Sequence, residues 1–313
     1  MRLNRRVDLV GKQSKRGDLR DIQGILLLDK PKGLTSNGAL QEVKALFKAR
    51  KAGHTGSLDP IATGLLPICF GEATKVSSFF LDADKRYHTV FKLGESTNTG
   101  DADGEVLFNA PVDVRDEAIE EALAVFRGRL QQIPPMYSAI KHQGQPLYKL
   151  ARQGIEVERK PRDVTVYQVS FRRLNSDRIE VELHCSSGFY VRSLAHELGE
   201  NLGCGAHVDS LRRVGVGPFL ADNAAALDQL RQTPCLEELD SLLIPADQGL
   251  LDLPDVMLST DAAYYLCRGQ AVRIPTTPRS GWVRLYAKDA GFLGIGKVLA
   301  DGRVAPKRLF HTH

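Results

Sequence analysis

Residues 52–71 read AGHTGSLDPIATGLLPICFG. Four glycines and two prolines fall within these 20 positions, a density that suits neither a helix nor an interior strand. The stretch therefore reads as a loop, with room for one helical turn before LLPICFG. What precedes it bears on the fold. NGALQEVKALFKAR (37–50) sets Leu40, Val43, Ala45, Leu46 and Phe47 roughly on one face of a helix that Ser36 can cap. The glycine-rich stretch thus follows a helix. No phosphate-binding glycine loop follows a strand, as a doubly wound nucleotide-binding sheet requires.

Working outward, helices and strands mix without a βαβ rhythm. GILLLDK (24–30) is a short apolar run broken by Pro31 and Gly33, and RYHTVFKLG (86–94) alternates as a strand does. ESTNTGDADGE (95–105) is a polar loop, and DEAIEEALAVFRG (116–128) is an amphipathic helix ended by Gly128. VTVYQVSFRRL (164–174) and RIEVELHCS (178–186) form a hairpin, after which SGFYVRSLAHELGENLG (187–203) opens as a strand and passes into a helix. The pattern predicts an α+β fold. A short helix lies in the acidic DQLRQTPCLEELDSLLIPAD. Beyond it come the helix LSTDAAYYLCRGQAV (258–272) and the strands WVRLYAK, GFLGIGKVLA and RVAPKRLF. Together these predict a small, partly open barrel. The expected organisation is a flexible basic arm over 1–21, a main domain over 22–250 and a small domain over 251–313.

The chain has 313 residues, 42% hydrophobic and 26% charged, enough for a sizeable core. It has no apolar run long enough to span a membrane and no signal-peptide pattern, so the expectation is no membrane association. Its five cysteines (69, 185, 204, 235 and 267) are scattered, with no CxxC pair. That predicts reduced thiols in a cytoplasmic protein rather than a disulfide framework or a zinc site. Net charge is +8 over residues 1–54, −8 over 218–261 and +7 over 262–313. Basic ends suit a phosphate backbone, whose binding is driven by counterion release.

Gly53-His54-Thr55-Gly56-Ser57-Leu58-Asp59-Pro60 is the densest chemical signal. Pro60 biases Asp59 to an extended backbone that projects its carboxylate from a stiff turn, and His54 adds a flat polar ring. A turn-initiating Asp-Pro beside an ordinary loop histidine accounts for the same residues without chemistry.

AGHTGSLDPIATGLLPICFGEATK closely resembles the catalytic motif of the TruB-type tRNA pseudouridine-55 synthases. GILLLDKPKGLTSN, DADKRYHTVFKLGESTNTGDADGE, QQIPPMYSAIKHQGQPLYKLARQGIEVERKPR and CSSGFYVRSLAHELGENLGCGAHVDSLRRVGVGPF resemble further blocks of that family, in order, over residues 24–219. The tail from about residue 251 resembles a PUA domain, an RNA-binding module. The resemblance implies the pseudouridine synthase fold, with a mixed and largely antiparallel sheet, and a substrate in the T-arm, or elbow, of tRNA. It implies catalysis without a metal or organic cofactor and calls for no protein partner. Asp59 corresponds to the catalytic aspartate, Tyr87 to a tyrosine that stacks on the target uracil and assists proton removal, and Arg192 to the arginine that pairs with the aspartate. Tyr190 and Leu211 would line the base pocket. His54 would fill the space left by the flipped base. Lys30, Lys32, Lys75, Arg212 and Arg213 are candidates for phosphate contact.

Other readings of the same residues are a core tyrosine at 87, a solvated arginine at 192 and a core leucine at 211. Two other functions compete with the isomerase. A pure RNA-binding protein gains nothing from a carboxylate aimed at a polyanion. A glycoside-type hydrolase usually needs a second positioned acid.

Overall fold

The computed structural model describes residues 19–275 and 277–310; most of the expected N-terminal arm lies outside them. The main sheet is ten-stranded. Its strands include β1 (Gly24–Lys30), β2 (Ala52–His54), β3 (Thr63–Phe70) and β4 (Lys85–Leu93). A separate small hairpin, β5 (Glu95–Thr97) with β6 (Val106–Asn109), leaves the end of β4. The main sheet continues with β7 (Gly128–Gln132), β8 (Arg162–Arg173), β9 (Arg178–Cys185), β10 (Ala206–Val216) and the short β11 (Ala225–Ala226). Its main path runs β11-β1-β3-β10-β4-β9-β8-β7. Only β11–β1 and β3–β10 pair parallel along it, and the other neighbours are antiparallel. The sheet is therefore mixed and largely antiparallel.

The sequence of each strand states which faces it buries. In β1 the run Ile-Leu-Leu-Leu sends Leu26 and Leu28 to one core and Ile25 and Leu27 to another. In β9, RIEVELHC alternates: Ile179, Val181, Leu183 and Cys185 are buried, while Glu182 is exposed. Strand β1 is thus covered on both faces and β9 on one. Helices α1 (Ser36–Leu46), α3 (Asp116–Ala124) and α5 (Val191–Asn201) lie on the side of the larger core. Between α1 and α3 comes the short α2 (Ser77–Leu81), and between α3 and α5 the short α4 (Leu147–Ala151). Thr35 caps α1 by accepting from Gly38 N at 2.9 Å.

The 52–71 stretch is not a plain loop. Its ends are strands β2 and β3, and β3 runs through Pro67. The proline is tolerated because its carbonyl accepts from Thr55 N, at 3.1 Å. A backbone N–H at that residue would point to the same side, between the β2 ladder at Ile68–Phe70 and the β10 ladder at Thr63–Gly64. At Gly64 (φ +98°) a Cβ would lie 2.3 Å from the Arg213 carbonyl oxygen, so only glycine lets β3 approach β10 here.

Strands β12 (Asp255–Leu258), β13 (Val272–Arg273), β14 (Gly281–Ala287), β15 (Gly291–Val298) and β16 (Arg303–Leu309) form a second sheet, ordered β12-β14-β15-β16-β13. Helix Thr260–Cys267 packs Leu266 into its core. Among the described residues no ladder joins β12 to β13, so the barrel is partly open, as expected. The two sheets share apolar packing. Ile295 of β15 is buried with Val76, Phe80 and Val216, and Phe292 and Phe310 pack on the same cluster.

Candidate active site

The loop between β2 and β3 is held from three directions. Leu58 N donates to Ser36 Oγ at 2.7 Å and Ser36 Oγ donates back to Leu58 O at 3.0 Å, which fixes the loop to the start of α1. Gly33 N reaches Pro60 O at 2.7 Å. From below, Arg213 donates to Gly56 O at 3.1 Å and to Ser57 O at 3.4 Å. These bonds leave the Asp59 carboxylate projecting into a cavity of about 280 Å³.

Arg192 lies in the first turn of α5 and is 6% exposed. Its Nη2 is 3.0 Å from Asp59 Oδ2, and its Nε is 3.7 Å from Asp101 Oδ2. It also donates to Thr99 O at 2.9 Å and to Tyr137 O at 2.6 Å. One guanidinium therefore ties together the β2–β3 loop, the β5–β6 hairpin and the segment after β7. Asp101 is itself buried and accepts from Thr99 Oγ1 at 2.6 Å and from Asp103 N at 3.2 Å. Burial pushes the Asp59 carboxyl above its ordinary range. The Arg192 cation pulls it back, Asp101 pushes it up, and Lys30 pulls it down more weakly.

Tyr87 projects from β4 into the same cavity and is half-buried. Its phenol is pushed up to about 12 by desolvation, against the pull of the nearby Arg213 cation. Tyr190 precedes α5 and exchanges two bonds with Gln132: its N–H donates to Oε1 at 2.8 Å and its carbonyl accepts from Nε2 at 3.1 Å. It is held by a turn rather than by a strand, because SSGFY is not paired in the sheet. Leu211 lies across from Thr89 in the β10–β4 ladder and lines the cavity with Tyr190 and Tyr87. A cavity lined by Tyr87, Tyr190 and Leu211 beside an ion-paired carboxylate suits a planar base next to a bond-making acid.

His54 ends β2 outside the cavity lining. Its Nδ1 is buried without a partner, and burial, aided by Arg213, lowers its pKa and favours the neutral ring.

This arrangement agrees with three comparisons. Residues 44–191 match the N-terminal domain of the TruB family of pseudouridylate synthases. Residues 192–251 match the tRNA pseudouridylate synthase B C-terminal domain, and 254–310 match the C-terminal domain of pseudouridine synthase II TruB. The chain is 54% identical over 304 residues to the tRNA pseudouridine synthase B of Nitrosococcus oceani, covering 96% of this chain and 99% of that one. It is 51% identical to the Yersinia enterocolitica protein of the same name, covering 97% and 95%. The chain belongs to the TruB family of pseudouridine synthases. It is an RNA-modifying isomerase. The fold is shared with an H/ACA RNP bound to a substrate RNA containing 2′-deoxyuridine (TM-score 0.71, 22% identity, 92% of this chain and 85% of that one). It is shared also with a Cbf5–Nop10–Gar1 complex (TM-score 0.70, 24% identity, 93% and 84%).

Within this TruB-family site, four of the five cations proposed for phosphate contact are engaged elsewhere. Lys30 is fully buried, donating to Pro31 O at 2.9 Å and Leu34 O at 2.7 Å, and desolvation pushes it down to about 8. Arg213 is 1% exposed, beneath the β2–β3 loop. Arg212 forms a bidentate pair with Asp29, at 3.0 and 2.8 Å, bridging β10 and β1. Lys75 pairs with Glu72 at 2.5 Å and donates to Leu309 O at 2.7 Å, tying the first sheet to β16. Lys32 alone remains exposed. A charged letter in a sequence does not reveal whether its side chain points outward, and here burial overrides the usual surface preference. Sequence reading also passed over Asp101 and Lys85. Asp101 lay in a stretch read only as a polar loop, and Lys85 just before the strand read over 86–94.

Proposed function

We propose that the chain converts uridine to pseudouridine at position 55 in the T-loop of tRNA, with Asp59 as the catalytic carboxylate. The observation that carries this reading is the Asp59–Arg192 pair, opening on a slot lined by Tyr87, Tyr190 and Leu211. In the isomerisation the N1–C1′ bond breaks, the base turns, and a C5–C1′ bond forms. C5 loses its proton and N1 gains one, so no atom is added or lost. Asp59 either attacks the sugar or the base, or removes a sugar proton. Arg192 keeps the carboxylate ionised and aimed. Tyr87 stacks on the uracil and stands near the C5 proton. The target base has to leave its loop to enter the slot, and His54 is placed outside the cavity, where a gap in the RNA would lie.

Residues 22–250 carry the chemistry in this reading. Residues 251–313, net positive over 262–313, add RNA affinity. The substrate is the T-arm of tRNA in the cytoplasm, and the reaction calls for no protein partner.

Incubation with an unmodified tRNA transcript, followed by pseudouridine mapping at nucleotide resolution, tests the proposal. One new pseudouridine, at position 55, is the expected result. Modification elsewhere with position 55 untouched would overturn it.

A further inference from the structure

Four cations and two carboxylates meet around the cavity: Lys30, Lys85, Arg192 and Arg213 against Asp59 and Asp101. Arg192 is matched to both carboxylates. Lys85 and Arg213, which also line the cavity, are not. Lys85 is 6% exposed, and its ammonium donates only to backbone carbonyls: Phe80 at 3.3 Å, Leu81 at 2.5 Å, and Ala83. Arg213 donates to the carbonyls of Leu65, Ser57 and Gly56, and its charge acts on the Tyr87 hydroxyl. Neither is ion-paired among the described residues. The carboxylates that act on Lys85 from a distance are Asp82, which is exposed, and Asp84, which is partly so.

We propose that Lys85 and Arg213 are fixed cations at the floor of the cavity that stabilise the negative charge uracil acquires as its bond to ribose breaks. The inference rests on the function proposed above. When N1–C1′ breaks, the bonding pair stays with N1 and spreads to O2 and O4, whether Asp59 takes C1′ or removes a sugar proton. Attack on the base ring would also place charge on a carbonyl oxygen. An anion in a desolvated slot needs preorganised positive charge. Burying two unpaired cations is unfavourable, and bracing carbonyls does not require a charge, since an amide N–H does the same. The hydrogen bonds of Lys85 are all taken, so it acts by charge rather than by touching the base. Arg213 acts partly through Tyr87.

Lys85→Gln and Lys85→Met remove the charge, and the first keeps N–H donors for the carbonyls if the second fails to fold. Single-turnover rates at saturating tRNA should fall about 10- to 100-fold for both, with Lys85→Arg close to wild type. The decisive comparison uses a transcript with 5-fluorouridine in place of uridine, followed by the consumption of 5-fluorouridine. Fluorine makes uracil a more stable anion, so the neutral variants should lose much less on this substrate. An equal loss on both substrates would show Lys85 to be a structural brace and overturn the inference, as would neutral variants as fast as wild type on uridine. If the wild type leaves uridine unchanged, both this inference and the proposed function fail. A wild type that converts uridine, with variants equally slow on both substrates, removes this inference alone.

Discussion

The charged groups around the cavity fall into two sets held in opposite ways. In one, Arg192 and Lys30 face Asp59 and Asp101, so charge is balanced, and geometry is set by the ion pairs of Arg192 at 3.0 and 3.7 Å. In the other, Lys85 and Arg213 are held by backbone carbonyls alone, leaving positive charge unpaired. Ion pairs aim a reacting group but cancel its field at a distance. Carbonyl-held cations keep a field but do no bond-making. The balanced set therefore suits the covalent step and the cationic set suits stabilisation.

The largest effect should come from Asp59 in the balanced set. Asp59→Asn keeps the shape and removes the charge, and single-turnover isomerisation should fall by at least about a thousandfold, ~4 kcal/mol of barrier. Binding of tRNA, measured by filter retention, should be unchanged. Turnover within about tenfold of wild type would mean that the covalent chemistry lies elsewhere.

Next is Arg192. Burial already raises the Asp59 pKa and Arg192 opposes that rise. Arg192→Ala should therefore raise it further, leave more Asp59 protonated at neutral pH, and cut the rate about 100-fold or more. Activity should partly return as pH increases, because higher pH restores the carboxylate. Arg192→Lys keeps the charge without the planar fork and should rescue only in part. A pH–rate profile at saturating tRNA checks the sign. Full activity of the Ala variant at saturation would assign Arg192 to RNA binding instead.

Asp101→Asn should do less. It removes one of two carboxylates at Arg192, while Thr99 O and Tyr137 O still hold the guanidinium. A loss of about tenfold in rate with unchanged tRNA affinity is expected, roughly 1.4 kcal/mol. A loss as great as that of Arg192→Ala would mean that Asp101 determines the whole geometry of the balanced set.

The smallest effect belongs to the support. Ser36→Ala deletes both bonds to Leu58 and should lower stability by about 1–3 kcal/mol in urea unfolding, because buried backbone groups are left unmatched. Its effect on rate should stay within about tenfold. If stability is unaltered and the rate collapses, Ser36 takes part in the reaction rather than anchoring the loop.

Much of this was legible beforehand. The alternation of RIEVELHC, the β8–β9 hairpin, the helices at 36–46 and 191–201 and the small second sheet follow from local periodicity. Asp59, Tyr87, Tyr190, Arg192 and Leu211 lie together around one cavity, as the motif resemblance implied. What misled was punctuation. Pro67 and Gly64 read as loop, yet both lie in β3. A missing N–H matters only where a partner strand needs one, and a glycine can mark close strand approach as well as a turn.

By itself the sequence determined the α+β class and the family, because these depend on periodicity and on motifs contiguous in the chain. Tertiary structure decided which charges meet. Arg213 and Arg212 are neighbours on β10, yet one is sealed beneath Gly56 and Ser57 and the other holds Asp29 at the surface. Asp101 reaches Arg192 only because the β5–β6 hairpin folds back to β10, where Ala102 N bonds Val208 O at 2.9 Å. Burial and pairing are properties of positions brought together across long stretches of chain, and a charged residue's chemistry depends on them more than on its neighbours in sequence.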